Sequence, residues 1–166
     1  MGEIRPLGRL TVLYRGLPIG TVGLGEAHYD DAPTPPDSLA PFHRPPTDLV
    51  TTEFRPLPGY AAVADAIRSA GRAFNNYGFI GPAADPASDE RGEAALAASA
   101  AVCEELEFRD EQGAAVPGRA RWFVELEHAG SPHYWLDASF EEAPAGVLAR
   151  LRGLRRGGGG HENPAA

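Results

Sequence analysis

The sequence contains no lysine, so all fifteen of its basic side chains are arginines. A Schiff base with pyridoxal phosphate, the phosphate-binding lysine of a Walker motif and a lysine general base all require an ammonium group. The absence of lysine therefore excludes these enzyme classes together. Arginine, alanine, glycine and proline have GC-rich codons and are abundant, so the composition suggests a bacterial source.

Cysteine is nearly absent, since Cys103 is the only one. One thiol per chain cannot form an intramolecular disulfide, a CxxC redox pair or a thiolate zinc cage, which fits a reducing compartment. Long apolar runs are also missing, because no segment resembles a signal peptide or approaches the roughly 20 apolar residues of a membrane span. We therefore predict a cytoplasmic protein that does not enter a membrane.

Basic residues are fewer than acidic ones, since 15 arginines and 23 acidic residues give a formal net charge of −8. A negative field opposes attraction to phosphate backbones and anionic lipids, so nucleic acid is disfavoured as a partner. The segment 150–156 is a local exception that holds four arginines and no acid. This segment leaves open the hypothesis of a nucleic-acid accessory protein that binds through Arg150, Arg152, Arg155 and Arg156.

The residues that are present indicate a folded chain, because 43% of them are apolar and 23% are charged. Alternating apolar residues predict a first hairpin, and Gly20 and Gly23 would weaken its second strand unless they mark a bulge or admit another backbone. Apolar residues three and four apart, Pro58 before them and Gly78 after them predict a helix. The predicted strands cover 9–14, 19–24, 49–54, 106–109, 119–127 and 134–140, and the predicted helices cover 59–77, about 86–105 and 144–154.

Together these elements predict an α+β fold. We expect an antiparallel sheet of five or six strands, with the two main helices packed on one face and a short C-terminal helix. Residues 1–156 would form a single domain, and residues 157–166 a flexible glycine-rich tail. A long proline-rich loop is predicted over 25–47, and a loop of this length in a compact domain is usually either functional or disordered.

Candidate catalytic side chains fall in that loop. His28, Asp30, Asp31 and His43 supply two imidazoles and two carboxylates for acid–base chemistry, which would require the fold to bring them together. This is the basis of one hypothesis, a small enzyme. No serine lies in a GxSxG elbow or an SxxK pair, so no catalytic residue is assigned.

Metal and thiol chemistry have weaker support in the sequence. His128 and His133 flank a predicted turn near Glu127 and Asp137, an arrangement that could surround a metal ion but also arises in any polar turn. Cys103 lies in an alanine-rich helix, where a thiol behaves as a small apolar side chain with a raised pKa. We therefore assign neither a metal nor a cofactor.

The strand predicted over 119–127 gives the leading hypothesis. Its alternation directs Trp122, Val124 and Leu126 to the core and leaves Phe123 among charges on the outer face. Together with the long proline-rich loop and the lack of a strong catalytic constellation, this exposed aromatic side chain indicates a protein that binds another macromolecule, as an adaptor, an accessory subunit or an inhibitor. The binding residues predicted on this basis are Phe42, His43, Phe123 and Arg121; the sequence does not indicate an oligomeric state.

Overall fold

The computed structural model describes residues 3–28, 47–80 and 86–140. Within these ranges the chain forms seven β-strands, one short 3-10 helix and two α-helices, so the predicted α+β class is confirmed. Neither α-helix in these ranges is long and apolar enough to cross a membrane. The predicted C-terminal helix over 144–154, the tail 157–166 and the loop residues 29–46 lie outside them.

The first two strands form the predicted hairpin but are longer than the pattern indicated. Strands β1 (Glu3–Tyr14) and β2 (Leu17–His28) pair antiparallel and are joined by Arg15 and Gly16. Both turn residues have positive φ values, 50° and 78°, as a tight two-residue hairpin turn requires. Because β2 continues to His28, residues 25–28 belong to a strand and not to the loop predicted over 25–47.

Strand β3 (Thr47–Pro56) pairs antiparallel with β2, and two glycines make this close pairing possible. A Cβ atom on Gly20 would lie 2.1 Å from the ring of Phe54, and one on Gly23 would lie 2.1 Å from the Thr52 hydroxyl oxygen. A side chain at Gly20 would displace the Phe54 ring and the β3 backbone, whose Arg55 carbonyl oxygen would lie 2.8 Å away, and a side chain at Gly23 would displace that of Thr52. Gly20 therefore admits the neighbouring backbone, which is one of the two predicted alternatives, and Gly23 fits the other, since it lies at a register shift between Val22 and Leu24 in the pairing with β3.

The later strands do not all join the single antiparallel sheet that was predicted. Strand β4 (Leu106–Arg109) pairs with β1, and the short β5 (Ala115–Val116) pairs with β4. A five-stranded antiparallel sheet results, with the order β3-β2-β1-β4-β5. Strands β6 (Arg119–His128) and β7 (Ser131–Ser139) form a separate two-stranded sheet, called the ribbon below.

The two main predicted helices are present. A 3-10 helix (Pro58–Ala62) leads into α1 (Ala64–Ile80), and α2 covers Pro86–Glu104. Both α-helices lie against β6 of the ribbon, so their predicted packing on one face of a single five- or six-stranded sheet is not confirmed. The contact with α1 is close at Gly71, where an added Cβ would lie 1.9 Å from the carbonyl oxygen of Glu125.

The hydrophobic core joins the five-stranded sheet, the helices and the ribbon. The segment predicted as a helix over 59–77 contributes Tyr60, Val63 and Ile67 to this core. At its centre the Phe54 ring contacts Phe123 of the ribbon, with ring centroids 4.9 Å apart. The ribbon is therefore fixed to the larger sheet by side-chain packing rather than by backbone pairing.

Candidate interaction surface

A β-bulge in β6 determines which of its side chains reach the surface. Ala120 lies opposite Ala138 and Trp122 lies opposite Asp137, so Arg121 is an extra residue on this strand. One inserted residue reverses the alternation between the two ends of a strand. The residues after Arg121 therefore point to the faces opposite to those that strict alternation predicts.

Phe123 is consequently not a surface residue, and the prediction of its exposure was wrong. Its side chain is 0% exposed and contacts the rings of Phe54 and Tyr60. The next residue, Val124, is also buried. Because consecutive strand residues point to opposite faces, both faces of the ribbon are covered at this point.

The residue that the bulge turns outward is Trp122, which was predicted to face the core. It is 44% exposed, and Trp135 on β7 is 52% exposed. Both indole rings contact Phe74 of α1 edge to face, with centroid distances of 5.6 Å and 5.8 Å. We call Trp122, Trp135 and Phe74 the tryptophan surface; it contains both tryptophans of the chain.

Arg121, the other predicted binding residue on β6, borders this surface. Its guanidinium is exposed and forms an ion pair with Asp137, with 3.1 Å between Nη2 and Oδ2. Asp137 is the cross-strand partner of Trp122, so the ion pair lies beside that indole ring. The bulge therefore presents an aromatic ring and a fixed cation side by side.

A polar cluster holds the helices against the ribbon. The Tyr60 hydroxyl donates a hydrogen bond to Oε2 of Glu125, and Arg68 Nε donates to Oε1 over 3.0 Å. Burial, followed by the hydrogen bond to Glu125, raises the pKa of Tyr60 well above its ordinary value. Tyr60 is therefore a neutral hydrogen-bond donor at physiological pH, which suits a structural role rather than that of a base.

Two histidines meet at the end of the ribbon, as the metal hypothesis requires. The rings of His128 and His133 lie edge to face with centroids 5.7 Å apart, and both side chains are exposed. Among the described residues, however, no group of three or more histidine, cysteine or acidic side chains is placed to hold a metal ion. Glu127 and Asp137 do not complete the set.

Of the remaining predicted site residues, His28 alone falls within the described ranges. His28 is the last residue of β2. The other predicted site residues lie outside the described ranges, so the acid–base and nucleic-acid hypotheses stay predictions; these residues are Asp30, Asp31, Phe42, His43, Arg150, Arg152, Arg155 and Arg156.

Sequence reasoning missed the tryptophan surface for one reason. An even alternation between Arg121 and Glu127 places Trp122 inside, and no glycine or proline marks the bulge within this stretch. The available signal was composition, because tryptophan is enriched in protein interfaces and both tryptophans fall on adjacent predicted strands. Comparisons with protein-family models, with curated proteins and with solved structures found no match for this chain.

Proposed function

We propose that this protein binds another protein through the tryptophan surface. The observation that carries the proposal is that both tryptophans of the chain are substantially exposed and lie against the same phenylalanine. Tryptophan is among the residue types that most often dominate binding energy, and contiguous exposed apolar surface marks interaction sites in soluble proteins. The predicted protein-binding activity is retained, with Trp122 and Trp135 in place of Phe123.

The exposed indole area is large enough to support binding. A tryptophan side chain buries about 150–250 Å² when fully covered, so covering the exposed halves of two would remove about 200 Å² from water. At about 25 cal/mol per Å² this contributes about 5 kcal/mol. A stable interface usually buries about 800 Å² on each partner, so we expect the indoles to be its centre and surrounding polar residues its rim.

Charge indicates the chemistry of the partner. The chain has a formal net charge of −8, so a second copy of it would be repelled at long range. A cationic protein would be attracted by the same field, and rim charges of opposite sign accelerate association. We therefore propose a basic partner that presents an apolar element to the two indoles.

The proposal is tested with two double variants of the full chain. Trp122→Ser with Trp135→Ser removes the indoles, whereas Ile4→Ser with Leu17→Ser removes two comparably exposed apolar side chains, 50% and 45%, from the five-stranded sheet. Each form is used to capture proteins from lysate of the source organism. Every captured protein is then purified, and its Kd for each form is measured directly.

The expected result is a cationic protein that binds the parent chain and the Ile4/Leu17 variant with the same Kd. Loss of the two indoles should weaken its binding at least about thirtyfold, because an interface hot spot contributes 2 kcal/mol or more. Equal affinity of every direct binder for the tryptophan variant would disprove the proposal. So would a parent dimer that the tryptophan variant no longer forms, because a second copy would then occupy the surface.

A further inference from the structure

A cavity of about 770 Å³ lies at the start of β6, beside the Arg121 bulge. The end of α2, the connection from β5 to β6 and the last residues of β7 line it. This volume falls within the range of about 300–1,000 Å³ that small-molecule sites usually have. Neither the protein-binding proposal nor the core packing requires such a space.

One wall of the cavity is cationic. Arg119 and Arg121 both line it, and these two residues flank Ala120 at the start of β6. Asp137 holds Arg121 in place, with 3.1 Å between the charged groups. Arg119 has no ion-pair partner within the part of the chain that the structure describes, so its charge is available to a ligand.

The floor of the cavity is apolar. Phe140, Ala120 and Cys103 line it, and each is at most 5% exposed. Gly118 brings the backbone close to the Phe140 ring, since an added Cβ would lie 2.4 Å from that ring. Glu104 on α2 also lines the cavity, and its carboxylate disfavours a ligand that carries more than one anionic group.

We propose that this cavity binds a small organic molecule with one oxyanion group, a carboxylate or a phosphate, on an apolar body. Guanidinium groups match the planar geometry of these oxyanions and can donate two parallel hydrogen bonds to them. The bulge supports the assignment, because bulges beside functional sites redirect a side chain, and here the inserted residue is itself one of the two arginines. Arg119 and Arg121 bind the oxyanion, and Phe140 contacts the apolar body.

Cys103 provides a direct measure of occupancy, because it lines the cavity and is the only cysteine in the chain. Burial raises the pKa of its thiol to about 11, so its alkylation at mildly alkaline pH is slow enough to follow. The probes are benzoate and phenyl phosphate, with benzamide and benzyl alcohol as neutral counterparts. Alkylation of the full chain by iodoacetamide is measured against probe concentration, alongside thermal denaturation with each probe.

At least one of the two anions is expected to slow Cys103 alkylation saturably and to raise the Tm, whereas the neutral counterparts do neither. Benzoate alone identifies a carboxylate ligand, and phenyl phosphate alone identifies a phosphate ligand. Arg119→Gln and Arg121→Gln should each weaken the effect about tenfold, since a hydrogen bond to a charged group contributes about 1.5–3 kcal/mol. Arg5→Gln, which removes an exposed cation outside the cavity, should leave it unchanged.

Three results would overturn the inference. One is equal protection by the neutral probes, because the arginines would then not recognise charge. Another is undiminished protection of Cys103 by the anions in Arg119→Gln, a variant that loses no ion pair and is expected to fold normally. The third is no protection by either anion up to about 10 mM, which corresponds to a binding free energy weaker than about −3 kcal/mol. The Trp122/Trp135 variant should retain the effect, so failure here and failure of the protein-binding proposal are distinguishable.

Discussion

Glu125 is the residue on which the junction between the helices and the ribbon most depends. Its side chain is 11% exposed and accepts hydrogen bonds from Tyr60, in the 3-10 helix, and Arg68, in α1. A buried carboxylate without such donors is costly, because it has lost its hydration. Arg68 is half exposed and partly solvated, so the Tyr60 hydroxyl is the more important of the two donors.

We predict that Tyr60→Phe destabilises the protein by about 1–3 kcal/mol, because the ring stays packed while Glu125 loses a donor. The change should also alter the alkaline limb of stability. Folding raises the pKa of Tyr60, so its stabilising contribution is complete below the ordinary tyrosine pKa of about 10 and is lost as pH rises above it. Urea midpoints measured from about pH 7 to about pH 11 should fall less steeply for Tyr60→Phe than for the parent.

Tyr14→Phe is the matched control, because Tyr14 is partly exposed and its ring contacts the Arg15 guanidinium. We expect this variant to unfold at the parent's urea midpoint at neutral pH, because Glu125 loses no donor in it. Burial also raises the pKa of Tyr134, so some alkaline dependence should remain in Tyr60→Phe. Identical slopes for Tyr60→Phe and the parent would show that the Tyr60 hydroxyl does not couple folding to pH.

At the scale of elements, the Arg121 bulge has the largest consequence. It reverses the alternation of β6, so that Trp122 faces solvent and Phe123 enters the core. Ladder pairing is regular on both sides of it, from Arg119 to Ala120 and from Trp122 to His128. The inserted residue is therefore separable from the rest of the strand.

We predict that deletion of Arg121 preserves the fold, because Ala120 and Trp122 would then be consecutive and already have consecutive partners, Ala138 and Asp137. Deletion of Val124 is the contrasting variant, because it removes a residue from a regular part of the ladder. Either Phe123 would then leave the core face, or the side chains that follow the deletion would exchange faces. Far-UV circular dichroism and urea unfolding should show a cooperative fold for the first deletion and its loss for the second. If both deletions unfold the chain, the bulge is needed for more than side-chain direction.

The sequence predicted the elements better than their pairing. Sequence signals are strong where a local feature requires a particular residue type or spacing. Examples are the glycine of the hairpin at Gly16, the glycine at the close approach of Gly20, and the helical spacing of Tyr60, Val63 and Ile67. A bulge has no such signal here, because any residue can be the inserted one. The partner of β4 was equally hidden, since pairing with β1 joins strands about ninety residues apart and depends on the whole core.

At the scale of the molecule, an aromatic cluster connects parts that backbone pairing leaves separate. Phe54 belongs to the five-stranded sheet, Tyr60 to the 3-10 helix, and Phe123 and Tyr134 to the ribbon. Their ring centroids lie 4.9–6.2 Å apart. A two-stranded sheet is marginally stable alone, so the ribbon depends on this cluster and on the helices for its order.

The last prediction follows from that dependence: the ribbon and the five-stranded sheet should unfold together. Both tryptophans lie on the ribbon, so their fluorescence reports this part of the molecule, whereas far-UV circular dichroism reports all the strands and helices. Unfolded in urea, the parent chain should give coincident transitions by the two methods, as a two-state domain does. A fluorescence transition at lower urea concentration would show that the ribbon melts independently.

Phe123→Ala tests the same connection from inside the core. The ring is fully buried against Phe54 and Tyr60, so its removal should cost about 3–5 kcal/mol through lost transfer energy and a cavity. That cost is a large part of the usual 5–15 kcal/mol of a domain, so Phe123→Leu, which keeps most of the volume, is the milder companion. If the cluster joins the two sheets, both variants shift the fluorescence and dichroism midpoints by equal amounts. Equal shifts are expected because only contacts shared by both sheets can destabilise them equally. A shift confined to fluorescence would show instead that the ribbon unfolds as a separate unit and that Phe123 contributes little to the stability of the five-stranded sheet.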